Sequence, residues 1–283
     1  MAIVETEYND GIAVIRLNRP ERLNALGTEL RAALADAWCA FRDAADAEVA
    51  IFTGTGRAFC AGEDMKESVE RGSPGGAPLT RKDPYLAGTI DKPVIVAVNG
   101  YAMGGGFQLV ERADLRVAVR GAVLEMSEAK RWLLGGYQHG FMGGLPHAVA
   151  TEMAFAYRFT AERLHELGYI NRLVDEGDLL SVAQELAVHL ITLPPASRVN
   201  TLMMMRAMRP VVSPELQRLA AQLHEHGAKE DLMESRRAFA EKRKPNFKGW
   251  DQPADRSRTP TLESVRREAS SRPINAAAAE YVK

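Results

Sequence analysis

Val94-Ile95-Val96-Ala97-Val98 runs straight into Asn99-Gly100-Tyr101-Ala102-Met103-Gly104-Gly105-Gly106. Five apolar residues without polar alternation predict a strand covered on both faces, as in a parallel sheet. The glycines that follow open a helical pattern from about Gly104 to Arg112. The same grammar occurs earlier. Residues 49–53 (VAIFT) form a strand run that leads into Gly54-Thr55-Gly56-Arg57-Ala58-Phe59-Cys60-Ala61-Gly62-Glu63-Asp64. Outward from these two stretches, residues 12–17 (IAVIRL), 115–119 and 122–126 read as further strands. Leu30, Leu34, Trp38 and Phe41 recur at helical spacing behind a Gly27-Thr28 start. Strands alternate with helices to about residue 190, which is α/β organisation.

The glycine clusters do not fit nucleotide loops. Gly54-x-Gly56 needs a third glycine at position 59, and Phe59 stands there. No GxxxxGK[ST] occurs. Tight turns alone would explain one such cluster. Two clusters, each after a buried strand, suit another purpose. Glycine lets a ligand reach bare backbone, and a helix start offers free N–H groups with partial positive charge. Two such ends facing each other would donate two N–H groups to one oxygen, forming an oxyanion hole.

Composition narrows the field. The 283 residues carry 36 Lys+Arg against 37 Asp+Glu, so the net charge is −1. That balance excludes a broad nucleic-acid surface. Two cysteines, Cys39 and Cys60, exclude a disulfide scaffold. There is no apolar run of about 18 residues and no basic leader before an apolar stretch, so neither a membrane span nor a secretory signal is expected. A cytoplasmic protein is the expectation. From about residue 197 the strand signal stops, and 197–243 reads as helical, with Met203, Met204, Met208, Leu216, Leu219 and Leu223 at helical spacings. Residues 71–84 (RGSPGGAPLTRKDP) are expected to form a mobile loop, and 251–283 a partly ordered tail. No internal repeat is found.

Five ordered stretches carry a family resemblance. They are Asn18 through Leu26 (NRPERLNAL), Ala58 through Lys66 (AFCAGEDMK), Lys92 through Gly106, residues 160–174 (TAERLHELGYINRLV) and residues 238–248 (AFAEKRKPNFK). Together they resemble the crotonase family, the enoyl-CoA hydratase/isomerase superfamily, across about residues 10–249. The resemblance implies a spiral of ββα units over residues 1–196. It implies a C-terminal helical region over 197–250 that drives assembly into homotrimers or dimers of trimers, with 251–283 as the tail. It also implies acyl-CoA thioester substrates and a thioester enolate held by two backbone N–H groups. No cofactor is expected, since coenzyme A is part of the substrate, and no metal.

Residue by residue, the resemblance assigns the two amides to Glu63 and Gly105. Glu63 stands where the family often has a small residue. Hydratases of the family use two glutamates, one two positions after the triple glycine and one twenty positions further on. Here the first position is Gln108 and the second is Glu128. An amide cannot exchange protons near neutral pH, although it can orient water or substrate. A single glutamate suffices to move one proton between two carbons, as in the family's Δ3,Δ2-enoyl-CoA isomerases. Isomerisation therefore fits best, with hydration open if Gln108 holds a water. Glu111, one helical step beyond Gln108, is a weaker replacement because i and i+3 side chains project from different depths.

The family's Pro-Gly-x-Gly-Gly stretch after the glutamate is replaced by Leu133 through Gly144 (LLGGYQHGFMGG). Tyr137 and His139 become candidates for the acyl pocket, His139 as an acid/base group or as a loop histidine bonded to backbone. They support a second reading, thioester hydrolysis or C–C cleavage. A third is a non-catalytic acyl-CoA-binding protein. For CoA the resemblance assigns Arg22, Leu23, Ala25, Ala61, Gly62 and Asp64, with Lys66 at a phosphate and Lys248 reaching a phosphate across a subunit boundary. His224-Glu225-His226 is discounted as a metal site, since i and i+2 diverge on a helix. The methionines read as core or interface packing. Cys60 reads as a small buried hydrophobe.

Overall fold

The computed structural model describes residues 2–75 and 82–271. The chain opens with a hairpin of β1 (Val4–Asn9) and β2 (Ile12–Leu17). Asp10 and Gly11 turn it with φ of +48° and +78°, the left-handed two-residue turn that matches strand twist. α1 (Thr28–Asp43) follows, starting at the expected Gly27 cap. Then come β3 (Val49–Gly54), β4 (Ala58–Cys60) and α2 (Met65–Arg71). The short α3 (Pro84–Ala87) precedes β5 (Val94–Val98), β6 (Tyr101–Met103) and α4 (Gly105–Arg112). β7 (Leu115–Val119) and β8 (Val123–Glu125) lead through Glu128 to α5 (His147–Ala154), β9 (Phe159–Thr160), α6 (Ala161–Glu166) and β10 (Arg172–Val174).

The strands sort into two sheets. One runs β1-β2-β3-β5-β7-β10, and from β2 onward every neighbouring pair is parallel. The other runs β4-β6-β8-β9. Each pass of the chain thus lays one strand in the large sheet and one in the small. β3/β4, β5/β6 and β7/β8 are three successive turns, two of them closed by α2 and α4. This is the α/β organisation that the strand pattern predicted, in the spiral of ββα units that the family resemblance implied. Of the small sheet only β8 falls on a predicted strand, residues 122–126; β4, β6 and β9 went unseen because strands of two or three residues carry no period. β1 went unseen because VETEYN is polar, as suits an edge strand half open to water.

β5 is buried at every position, as its unbroken apolar run required. α1 packs against β1 and β2 and buries Leu30, Leu34, Trp38 and Phe41 along one stripe. Trp38 stacks on Tyr85 at 4.4 Å and meets the edge of Phe52 at 5.1 Å. Phe52 in turn meets Phe59 at 5.0 Å. Aromatic pairs of this kind contribute about 0.5–1.5 kcal/mol each beyond the area they bury. The cluster ties α1, β3 and β4 together beneath the first glycine segment.

Asn24 holds that segment from outside. It is fully buried at φ +54°. Its Nδ2 donates to the carbonyls of Ala58 at 2.8 Å and Thr55 at 3.0 Å, and its Oδ1 accepts from the Arg19 N–H at 2.8 Å. Asn24→Ala strands those carbonyls and leaves an alanine in left-handed backbone. A loss of about 2–4 kcal/mol is expected, read by urea unfolding. A loss below about 0.5 kcal/mol would show that the segment does not depend on this side chain.

The C-terminal part is helical: α7 (Leu179–Thr192), α8 (Pro195–Ala207), α9 (Pro214–Glu225) and α10 (Glu230–Ala240). α7 lies on the large sheet. Arg206 grips Asp114 at 2.6 Å and so fastens α8 to the core. α10 returns to pack against α2. The tail is ordered further than its polar composition suggested. A 3-10 turn (Pro253–Arg258) leads to α11 (Leu262–Ser271), which lies on α9 through Arg266–Glu215 and Gln222–Glu268. The end of the tail, and residues 76–81 of the expected mobile loop, lie outside the described residues. Among the described residues, no single helix is long and apolar enough to cross a membrane.

Candidate active site

The two glycine segments meet. β4 and β6 pair in parallel, with Ala58 opposite Tyr101 and Cys60 opposite Ala102. The approach is so close that a Cβ on Gly106 would sit 2.1 Å from the Cys60 carbonyl oxygen. A Cβ on Gly62, where φ is +82°, would sit 2.5 Å from the Met103 carbonyl oxygen and 3.2 Å from the Gly105 nitrogen. These two positions admit only glycine. Gly105 is the first residue of α4, so its N–H has no partner within the helix. Among the described residues, no acceptor engages the N–H of Glu63 or of Gly105. Two free amides from adjoining segments border one cleft of about 860 Å³.

Glu128 lines the same cleft, on a single 3-10 turn (Glu128–Lys130) just after β8. Gln108, one turn into α4, donates from Nε2 to Glu128 Oε1 at 3.1 Å. Glu128 Oε2 is buried with no partner among the described residues. Burial pushes this carboxyl above its ordinary value. The nearby His139 ring and the Gln108 amide oppose the rise, and the Glu111 charge adds to it. A carboxyl tuned upward, with one oxygen unpartnered among the described residues, is placed to exchange a proton with a group in the cleft.

The remaining predicted residues separate. Arg22, Leu23, Ala25, Ala61, Gly62, Asp64 and Lys66 all line the cleft. The Asp64 side chain is already engaged. It caps α2 and takes Arg19 at 3.0 Å, which leaves the backbone of this segment to face the cleft. Lys248 does not line the cleft; it pairs with Glu230 at 3.1 Å on its own chain. Tyr137 and His139 also lie off its lining. Tyr137 is exposed. His139 is buried and donates from Nδ1 to Glu111 Oε2 at 2.5 Å. Glu111 Oε1 accepts the Gly140 N–H at 2.7 Å. Glu111 therefore faces the loop after Glu128 rather than Gln108's side, in line with its different depth on α4. Cys60 is fully buried, and burial pushes its thiol up to about 12.

Sequence reasoning missed what the Glu63 side chain does. Arg236 on α10, 173 positions away, clasps it with Nη2 to Oε2 at 2.7 Å and Nε to Oε1 at 3.1 Å. No local pattern announces a pair so distant. A second unannounced group is Glu125, which accepts Arg158 at 2.9 Å and Lys130 at 3.0 Å at the cleft's edge.

The two-sheet spiral brings a pair of unengaged amides and the Glu128 carboxyl to one cleft, an arrangement suited to holding negative charge on a substrate oxygen. Comparison with known proteins gives the family. Residues 7–251 match the family model described as Enoyl-CoA hydratase/isomerase. A carnitinyl-CoA dehydratase of Salmonella enteritidis PT4 is 36% identical over 262 residues, covering 85% of this chain and 96% of that protein. The crystal structure of a carnitinyl-CoA hydratase from Mycobacterium avium superposes with a TM-score of 0.75 at 30% identity, covering 87% of this chain and 98% of that one. An enoyl-CoA hydratase from Mycobacterium tuberculosis H37Rv gives 0.65 at 34% identity, covering 87% and 99%. The chain belongs to the enoyl-CoA hydratase/isomerase family and has its crotonase-type fold; it is an enzyme of that family.

Proposed function

We propose that the protein moves a carbon–carbon double bond within an enoyl-CoA thioester. The observation that carries this reading is the partner of Glu128: its carboxyl faces the cleft, and its neighbour at hydrogen-bond distance is the amide of Gln108 instead of a second carboxylate. The Glu128 carboxylate takes a proton from the carbon next to the thioester carbonyl. The electron pair passes onto the carbonyl oxygen, giving a dienolate held by the Glu63 and Gly105 N–H groups. Glu128, now an acid, returns the proton to the γ carbon, and the double bond comes into conjugation. One group serves both steps, so a second acid/base residue is not required. Gln108 holds the Glu128 carboxyl in place through Oε1.

The thioester reaches the amides along the cleft wall formed by Arg22, Leu23, Ala25, Ala61 and Gly62, with Lys66 available to a phosphate. Residues 197–250 serve homo-oligomerisation, as a trimer or a pair of trimers. Met203, Met204, Met205 and Met208 are exposed there and supply an apolar surface. In such an assembly Lys248 would exchange its present carboxylate partners for a neighbour's CoA phosphate.

Hydration is the second reading, favoured by the names of the dehydratase and hydratase relatives. The two separate in one cuvette. With cis-3-enoyl-CoA, the conjugated-enoyl absorbance rises as the isomer forms. With trans-2-enoyl-CoA, hydration makes it fall. The expected outcome is a faster rise than fall. A rapid fall with no rise makes hydration the reaction. Release of free CoA thiol in place of either supports the hydrolase reading.

A further inference from the structure

A carboxylate is a poor side chain for a residue whose amide must stabilise an enolate. Glu63 puts one there, and its negative charge opposes the charge that forms on the substrate oxygen. The structure shows how it is contained. Arg236 is fully buried, and both ends of its guanidinium edge meet the two Glu63 oxygens. Its Nη1 donates to the carbonyls of Leu232 at 2.7 Å and Arg131 at 3.0 Å. Its flat face lies 4.5 Å from the Trp132 ring centroid. The Ser68 hydroxyl and the Gly75 N–H, at 2.7 Å, fill the remaining acceptor positions on Glu63 Oε1.

We propose that Arg236 is a positioning residue for catalysis: it neutralises the Glu63 carboxylate, turns it away from the substrate oxygen and so sets the field in which the Glu63 amide works. The proposal rests on the reading of Glu63 and Gly105 as the oxyanion hole. Among the described residues, the charged groups nearest the Glu63 side of the cleft come from several elements. Arg236 comes from α10, Arg131 from the segment after Glu128, and Glu125 and Glu128 from β8 and its turn. Asp64 caps α2 and Lys66 lies in its first turn. Asp64 is committed to Arg19, and Glu125 to Arg158 and Lys130. With Arg236 present, burial alone would raise the Glu63 carboxyl, but the hydrogen bonds from Arg236 and Ser68 and the Arg236 charge hold it below its usual range. Without Arg236 the burial effect prevails, and Glu63 protonates as the pH falls.

The probe is 4-(dimethylamino)cinnamoyl-CoA, a push–pull thioester whose absorption moves to longer wavelength when its carbonyl is polarised. It needs no turnover. The wild-type protein is expected to shift the band. Arg236→Met diminishes the shift at neutral pH, with partial recovery on acidification, and lowers kcat about 10- to 100-fold with KM little changed. Glu63→Gln acts in the opposite direction and enlarges the shift, because the cation loses its counter-charge. The double variant Glu63→Gln/Arg236→Met returns the band towards the wild-type position at every pH. Glu128 is the same in all four proteins, so its own titration cancels in the comparison. If Glu63→Gln and Arg236→Met diminish the shift alike, the pair only braces the fold and the proposal fails. It fails equally if Arg236→Met leaves the band where wild type puts it. Should Arg236→Met not fold, the sign of the Glu63→Gln shift decides. A wild-type protein that binds the probe without any shift overturns the oxyanion-hole reading beneath it.

Discussion

Glu128→Gln is expected to lower kcat for double-bond migration by about 100- to 10,000-fold, the range over which a positioned acid/base group acts. The substitution keeps the shape of the side chain and an oxygen to receive the Gln108 amide. It removes only the ability to exchange a proton. Binding of acyl-CoA should persist, so KM changes little. Stability moves the other way. The Glu128 carboxyl is raised in the folded protein by burial. A carboxyl raised above its unfolded value of about 4.3 favours the folded state in its protonated form and opposes it once ionised. Its cost is therefore present at neutral pH and fades as pH falls towards about 4. The glutamine variant should melt at least as high as wild type at pH 7, and the difference should shrink in acid. An inactive protein that is no less stable is the signature of a catalytic carboxyl. A variant that loses stability and activity together at pH 7 would instead mark Glu128 as a structural group.

Gly105→Pro is expected to lower kcat about 100- to 1000-fold, as removal of one oxyanion donor does. Proline deletes the N–H and nothing else that the helix requires. Position 105 is the first of α4, where proline is well tolerated and where the N–H has no intrahelical acceptor. A new Cβ meets Leu26 Cδ1 at 2.9 Å, the mobile end of a flexible side chain. Gly105→Ala is the control. It adds the same Cβ and keeps the N–H, and it should stay within about tenfold of wild type. Equal losses in the two variants would attribute the effect to Leu26 and crowding, and would remove Gly105 from the donor pair. The neighbouring glycines offer no comparable control. At Gly106 and Gly62 a Cβ would strike backbone oxygen, so any side chain there forces the two segments apart.

Much of this was legible in the sequence, for reasons tied to particular residues. The run Val94–Val98 reads as a strand covered on both faces, and a second glycine cluster after a buried strand favours close approach over a simple tight turn. Those two facts give the parallel sheet and the meeting of segments 58–64 and 99–106. The exchange of a second carboxylate for Gln108 was visible only through the family resemblance, which assigns glutamates to positions 108 and 128. The illegible parts share a cause. The Glu63–Arg236 pair and the anchoring of α8 by Arg206 on Asp114 join residues about a hundred positions or more apart. Neither leaves a periodic trace. His139 looked like a loop histidine or an acid/base group. Its partner Glu111 lies 28 residues back on α4, a contact that only the folded chain reveals. In the small sheet β8 was legible in the run 122–126, whereas β4, β6 and β9 are too short for alternation to register.

The central claim is that the Glu63 and Gly105 amides converge on one substrate oxygen. A crystal structure with a non-reactive acyl-CoA thioester tests it most directly. The account predicts the thioester carbonyl oxygen at about 2.7–3.1 Å from both nitrogens, with the Glu128 carboxyl beside the adjacent carbon. A thioester whose oxygen points to solvent, or to any group other than these two amides, would contradict it.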